Sequence, residues 1–189
     1  MLGSQSEEMV ILVDESDNEI GVAEKMSAHL KGQLHRAISV FLFNDQRQML
    51  VQQRALTKYH SGGLWSNSCC THPRPQEAVM DAAKRRLWEE MGIECDLEKA
   101  FVFTYNVDLG GGLAEHEYDH IFVGRFNAEP NLNAEEVGAW KWIDTDALLQ
   151  DVEKHPERYT AWFRVLLAPF SKHPQFPKSV VQTAYTAPA

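Results

Sequence analysis

Five side chains of metal-ligating type, His29, His35, His72, Glu115 and Glu117, share this chain with a cysteine, Cys70, and an acid-rich stretch, Arg85-Arg86-Leu87-Trp88-Glu89-Glu90. Strand geometry turns part of that set into a statement about space, because side chains two apart on a strand share a face. If Ser68-Cys69-Cys70-Thr71-His72 is extended, Cys70 and His72 face one way and Cys69 the other. In Glu115-His116-Glu117, which leads into Ile121-Phe122-Val123, the two carboxylates share a face and His116 turns away. Two carboxylates on one face repel unless something cationic sits between them. Three imidazoles and two carboxylates exceed a closed tetrahedral zinc site and suit an octahedral nitrogen and oxygen site for Mn²⁺, Mg²⁺ or an expanded Zn²⁺. The set points to a metal-dependent enzyme acting on a diphosphate.

The elements that must position these residues follow from pattern. Met9 to Val13 reads as a strand, the polar run Asp14 to Asn18 as a turn, and Ile20 to Ala23 as its hairpin partner, delivering the chain to Lys25 and His29. Ala37 to Phe43 and Gln48 to Arg54 read as a second strand pair around Asn44-Asp45-Gln46-Arg47. From Gln76 to Met91 the apolar Val79, Ala82, Ala83, Leu87 and Met91 recur at helical spacing, with Gly92 placed for a left-handed cap. Phe101 to Val107, Tyr118 to Phe126 and Ala139 to Ile143 read as further strands. Asp144 is expected to cap a short helix, and another helix is expected from Pro156 to Leu167. Strands, helix, strands and helices in that order predict an α/β fold, a mixed sheet packed between helices.

At 189 residues with 44% hydrophobic residues the chain is the size of one domain, expected over 9–172 between a flexible start (1–8) and a loose tail (173–189). A net charge of −9 argues against a nucleic-acid or anionic-membrane surface, since both need clustered Lys and Arg; any phosphate site must be local. Three cysteines, two of them adjacent, make no disulfide framework, and reduced thiols fit a cytoplasmic setting. No run of ~18 apolar residues and no leader-like start is present, so no membrane anchoring is expected.

The stretch Glu77-x7-Arg85-x-Leu87-x-Glu89-Glu90-x-Gly92-Ile93 resembles the Nudix box, a loop-helix-loop motif whose carboxylates hold divalent metal against a diphosphate. Thr71 stands where the box would begin with Gly, and Arg86 replaces the glutamate expected after Arg85, which speaks against ordinary Nudix hydrolysis. The alternative for Arg86 and Glu90 is a surface i,i+4 ion pair. Beyond the box, Trp65 to Pro73, Ala28-His29, Leu34-His35 and Glu115-x-Glu117 resemble the type I isopentenyl-diphosphate isomerases over roughly residues 9 to 168.

That resemblance implies a Nudix-type fold interconverting isopentenyl and dimethylallyl diphosphate. It implies Cys70 and Glu117 as the acid-base pair, Tyr105 hydrogen-bonding Glu117, and His29, His35, His72, Glu115 and Glu117 as metal ligands. It further implies Trp162 against a carbocation, Lys25, Arg54, Lys58 and Arg86 on the diphosphate, and Glu90 holding Mg²⁺ there. Trp65 is a weaker aromatic candidate, and Trp88 and Trp140 are expected to be structural. Gly110-Gly111-Gly112 makes a flexible loop that could serve as a lid. The expected partner is a small-molecule diphosphate, and the expected state a monomer or weak dimer. Two other readings stay open: a Nudix diphosphohydrolase, which has no need of Cys70, and a metal-bound regulatory module without turnover.

Overall fold

The computed structural model describes residues 8–172; the expected flexible start through residue 7 and the tail from 173 lie outside the described residues. The chain opens with the expected hairpin, β1 (Met9–Val13) antiparallel to β2 (Glu19–Glu24). Its turn is held by Asp14, whose Oδ1 accepts from the amides of Ser16 and Asn18. Helix α1 (Lys25–Lys31) follows directly. The Glu24 carboxylate caps it by accepting from the amides of Met26 and Ser27, and Gly32 ends it at a left-handed φ of 59°.

Strand β3 (His35–Phe43) is the spine of the molecule. Along one edge it runs parallel to β8 (Leu113–Arg125), from His35 opposite Glu117 to Phe43 opposite Arg125. Three strands share its other edge. β1 meets it at His35, β6 (Cys69–Thr71) at Ile38 to Val40, and β4 (Gln48–Arg54) at Phe43 alone. The expected β3–β4 pair therefore splays apart past its turn. The cause is a polar wedge: Ser68 Oγ accepts from the Leu42 amide at 2.9 Å and donates to the Leu50 carbonyl at 2.7 Å, so one hydroxyl replaces a rung of the ladder. Asn67 adds a bond to the Val40 carbonyl at 3.2 Å. β4 pairs instead with β9 (Val137–Asp144) and the short β5 (Trp65–Ser66).

β7 (Leu97–Gly110) and β8 form a long hairpin, longer at both ends than its apolar core predicts. Gly110, Gly111 and Gly112 close it with φ of 81°, 63° and 81°, values that favour glycine. Helix α2 (Val79–Met91) starts three residues later than its apolar spacing suggests, because Gln76 sits at a left-handed φ of 68°. It ends at Gly92 as expected, where a Cβ would come within 2.6 Å of the Asn131 carbonyl oxygen. Asp144 caps α3 (Thr145–Lys154) through the amides of Asp146 and Ala147. The expected helix from Pro156 is broken: a 3-10 turn spans Pro156–Arg158, Tyr159 is extended, and α4 (Ala161–Lys172) begins only after the Thr160 amide has bonded the Trp65 carbonyl at 2.9 Å.

The sheet separates two apolar clusters, as alternation along β3 requires. Phe41 and Phe43 pack with Tyr159, Trp162, Phe163 and Leu166 on one face. Ile38, Val40 and Leu42 pack with Ala83, Leu87 and Met91 of α2 on the other. Each such side chain contributes ~1.5–3 kcal/mol when fully buried, so both clusters clamp β3 between helices in a single domain. Among the described residues no helix is long and apolar enough to cross a membrane. Trp140 packs against the α2 cluster as expected, but Trp88 does not share that structural role, since α2 leaves it 56% exposed.

Candidate active site

The splayed sheet leaves a cleft of about 1000 Å³, and it gathers most of the residues singled out by the sequence. Against one corner lies a group of imidazoles, of which only His72 lines the cleft. His29 comes from α1, His35 from the first position of β3, His72 from just beyond β6 and Glu117 from β8; one ligand atom from each lies within 4.8 Å of the other three. The parallel register that sets His35 opposite Glu117 brings two of them together directly. His35 Nδ1 donates to the Gln33 carbonyl at 2.8 Å, which turns Nε2 toward the group, 3.1 Å from His72 Nε2 and 3.6 Å from Glu117 Oε1. His72 Nε2 lies 2.9 Å from Glu117 Oε1.

Charge and burial in this corner fit a divalent ion. His29 is fully buried and neither of its ring nitrogens has a hydrogen-bond partner; His72 Nδ1 and Glu115 Oε2 are also buried and unpartnered. Burial, then the neighbouring His72 and His35, pushes His29 down to about 3, so its ring is neutral and its lone pair available. Burial and the adjacent Glu117 push Glu115 well above the usual carboxylate range. Burial would raise Glu117 too, but the His35 and His72 rings outweigh it and hold this carboxyl well below that range. Glu115 shares the buried face with Glu117 as alternation predicted, yet it stands outside the tight group of four. His116 turns away, its Nδ1 donating to the Gly32 carbonyl at 3.0 Å.

Across β3 from this corner stands Cys70, in register with Ser39. It packs on the Trp162 side of the sheet and lines the cleft, whereas Cys69 is fully buried in the α2 cluster, so the two adjacent thiols divide as strand geometry predicts. Burial, then the Glu90 charge, raises the Cys70 thiol far above its ordinary value and keeps it protonated. Tyr105, opposite Glu117 on β7, donates its hydroxyl to Glu117 Oε2 at 2.5 Å. Trp162 Nε1 donates to Ser66 Oγ at 3.0 Å, which fixes the indole in the cleft wall. Trp65 packs against the cluster beside it, with Lys141 Nζ 4.5 Å from its ring, and does not line the cleft.

Another part of the cleft is cationic. Lys25, Arg54, Lys58 and Arg86 all face the cleft, brought there by α1, β4, the following loop and α2. Most already have anionic partners: Lys25 Nζ bonds Glu8 at 2.8 Å and Lys58 Nζ bonds Glu136 at 2.7 Å. Arg86 Nη2 bonds Glu90 Oε1 at 2.6 Å and Glu136 Oε2 at 3.0 Å, while Nη1 takes Glu89 at 3.0 Å. The Arg86–Glu90 pair exists, but not as a surface pair, since Glu90 is buried and its other oxygen accepts from Gln52 Nε2 at 2.7 Å. Arg54 lies 5.2 Å above the Trp162 ring, linking the cationic and apolar parts of the cleft.

Sequence reasoning missed Glu8, Glu136, Tyr59 and His60, all of which line this cleft. Glu8 and Glu136 carry no local signal, because their cationic partners are 17 and 78 positions away. Tyr59 and His60 directly follow Lys58, and an aromatic pair beside a phosphate-type lysine was the available clue. The glycine turn at 110–112 does not line the cleft.

Comparison with known proteins agrees with this geometry. A NUDIX domain model matches residues 33–163. Isopentenyl-diphosphate Delta-isomerase 2 of Aromatoleum aromaticum is 55% identical over 161 residues, covering 85% of this chain and 85% of its own. Isopentenyl-diphosphate Delta-isomerase of Pectobacterium atrosepticum is 50% identical, covering 84% of this chain and 89% of its own. Among solved structures, a Deinococcus radiodurans protein superposes with a TM-score of 0.72 at 20% identity, covering 84% of this chain and 96% of that one. A MutT protein from Methanosarcina mazei gives 0.57 at 18% identity, covering 79% and 94%. At such identities the last two bear on the fold alone. The chain belongs to the Nudix family and, within it, to the isopentenyl-diphosphate Delta-isomerases.

Proposed function

We propose that this chain interconverts isopentenyl and dimethylallyl diphosphate by adding a proton at one carbon and removing one from another, without hydrolysis. The observation that carries the reading is the placement of Cys70 and Glu117 on strands flanking β3, both facing one cleft, with Tyr105 hydrogen-bonded to Glu117. Protonation of the terminal alkene carbon moves the π electrons into the new C–H bond and leaves a tertiary cation. Loss of a proton from the carbon nearer the diphosphate returns an electron pair and forms the internal double bond. Cys70 and Glu117 are the two groups placed to deliver and collect these protons, and they exchange roles in the reverse direction. The Tyr105 hydroxyl holds Glu117 in place. Trp162 offers the cation an aromatic face, worth ~0.5–2 kcal/mol.

When bound, an Mn²⁺, Mg²⁺ or Zn²⁺ ion held by His29, His35, His72 and Glu117, with Glu115 beside them, would balance the paired carboxylates, and Mg²⁺ at Glu90 would neutralise diphosphate oxygens. Lys25, Arg54, Lys58 and Arg86 bind the diphosphate in this reading, Arg54 and Arg86 through forked guanidinium contacts. The diphosphohydrolase alternative fares worse. Hydrolysis leaves Cys70, which lines the cleft, without a task. We place the reaction in the cytoplasm, in keeping with three free cysteines, and assign it to a monomer or weak dimer. Incubation with isopentenyl diphosphate and Mg²⁺ tests the reading: the dimethylallyl isomer should form without inorganic phosphate, and phosphate release without isomer would sink it.

A further inference from the structure

Three aromatic rings form a ladder at the mouth of the cleft, and the mechanism uses only the innermost. His60 meets Trp162 edge to face, with ring centres 5.6 Å apart at 80°, and Tyr59 meets His60 at 4.4 Å and 87°. Tyr59 is half exposed, with Lys25 Nζ 5.7 Å from its ring centre. The ladder is anchored by backbone as well as by rings. The His60 carbonyl accepts from Arg54 Nη2 at 3.4 Å, and the loop closes through the Gly63 amide to the Arg54 carbonyl at 3.0 Å.

A catalytic or ligand role for the His60 imidazole does not fit these surroundings. It stands outside the histidine group, and its Nδ1 is engaged with Ser61 Oγ at 3.2 Å. Burial, reinforced by Arg54, Lys25 and Lys58, pushes it down to about 3, so across neutral pH it is an uncharged aromatic plate. Such a plate adds no positive charge beside a developing cation. A steric role fits better. The cleft, at about 1000 Å³, lies at the roomy end of the ~300–1000 Å³ usual for small-molecule pockets, whereas a five-carbon diphosphate is a small occupant. Something inside the cleft must define the space beside Trp162.

We propose that His60, backed by Tyr59, is the specificity-determining wall that limits how bulky a hydrocarbon group can lie against Trp162. The inference rests on the isomerase reading and adds its substrate selection: a homoallylic diphosphate with a single methyl branch fits, and one with a larger branch is turned away by the imidazole edge. A pocket wall that rejects one methylene discriminates by about 10-fold to 200-fold.

The test uses the full chain loaded with metal and two substrates, isopentenyl diphosphate and its homologue with ethyl in place of the branching methyl. The quantity read is the ratio of kcat/KM for the ethyl over the methyl substrate, which a merely structural role would leave unmoved. His60→Ala should raise the ratio by about tenfold or more, and His60→Trp should lower it. If His60→Ala fails to fold, the fall in His60→Trp decides alone. Ratios equal to that of the unmodified protein in every folded variant overturn the proposal while leaving the activity intact. Failure of the unmodified protein to isomerise isopentenyl diphosphate overturns the activity reading, and this proposal with it.

Discussion

The two polar corners of the cleft are built on opposite plans. In the histidine corner several buried polar atoms lack partners: both nitrogens of His29, Nδ1 of His72 and Oε2 of Glu115 have none. Nearly every charge in the cationic corner is already matched, Lys25 by Glu8, Lys58 by Glu136, and Arg86 by Glu89, Glu90 and Glu136. An unpartnered buried polar group costs ~1–3 kcal/mol, so the first corner offers the atoms that the proposed resident cation would satisfy. In the second, Arg54 Nε and Arg86 Nε also lack partners, but most of the formal charges are paired. The proposed diphosphate would displace these carboxylates, which suits an anion that arrives and leaves each turnover.

The largest effect is expected between the corners, at the proposed acid-base pair. Cys70→Ala should lower turnover by about 10²–10⁴-fold, whereas Cys69→Ala, on the α2 side of the strand, should keep most of it. Steady-state rates on both variants check this, and the reverse order would overturn the face assignment. Next in size is His29→Ala. Removing the ligand whose two nitrogens are unpartnered should strip the tightly held ion, seen by elemental analysis of the purified protein, with activity reduced by about 10²-fold or more. An unchanged metal content would mean that the histidine corner holds no ion through His29.

Glu90→Gln probes the other plan. The resident ion should remain, but substrate affinity and its Mg²⁺ dependence should weaken by about tenfold and be partly restored by more Mg²⁺, by mass action. Glu117→Gln, which removes a proton carrier, should not be rescued at any Mg²⁺ concentration. Loss of the resident ion in Glu90→Gln would show that the corners are not separate.

The smallest effect lies outside the cleft. Glu77 bonds Arg85 through both oxygens, at 2.6 and 2.8 Å, and this holds its carboxyl below the ordinary value. A depressed folded-state pKa gives stability that is present above the unfolded value and lost as pH falls through the folded one. Glu77→Gln should therefore cost ~0.5–1 kcal/mol at neutral pH, discounted for solvent screening, with no change in kcat. The difference in thermal midpoint should vanish once the pH falls below the carboxylate range. A midpoint difference that persists in acid would assign the effect to something other than the ion pair.

The histidine corner was legible because its residue types are rare and strand alternation alone sorts Cys70 from Cys69 and Glu115 and Glu117 from His116. Local caps were legible for a similar reason: Asp144 and Gly92 act within one turn of themselves. Long-range matters were hidden. Nothing near Ser68 announces that its hydroxyl will bond both Leu42 and Leu50 and thereby part β3 from β4, although that wedge opens the edge on which Cys70 sits. The break at Tyr159 depends on Trp65, far away in sequence, and without it Trp162 would not stand in the cleft wall. The carboxylates that balance the cationic corner were hidden too, since an acidic residue in an acidic chain carries no signal of its partner.

In the proposed reaction protons, not water, are exchanged at carbon in this cleft. Conversion of isopentenyl diphosphate in D₂O, followed by NMR, measures it directly. Dimethylallyl diphosphate should form carrying solvent deuterium on carbon, with the diphosphate intact. Product free of deuterium, or cleavage of the diphosphate in its place, would contradict it.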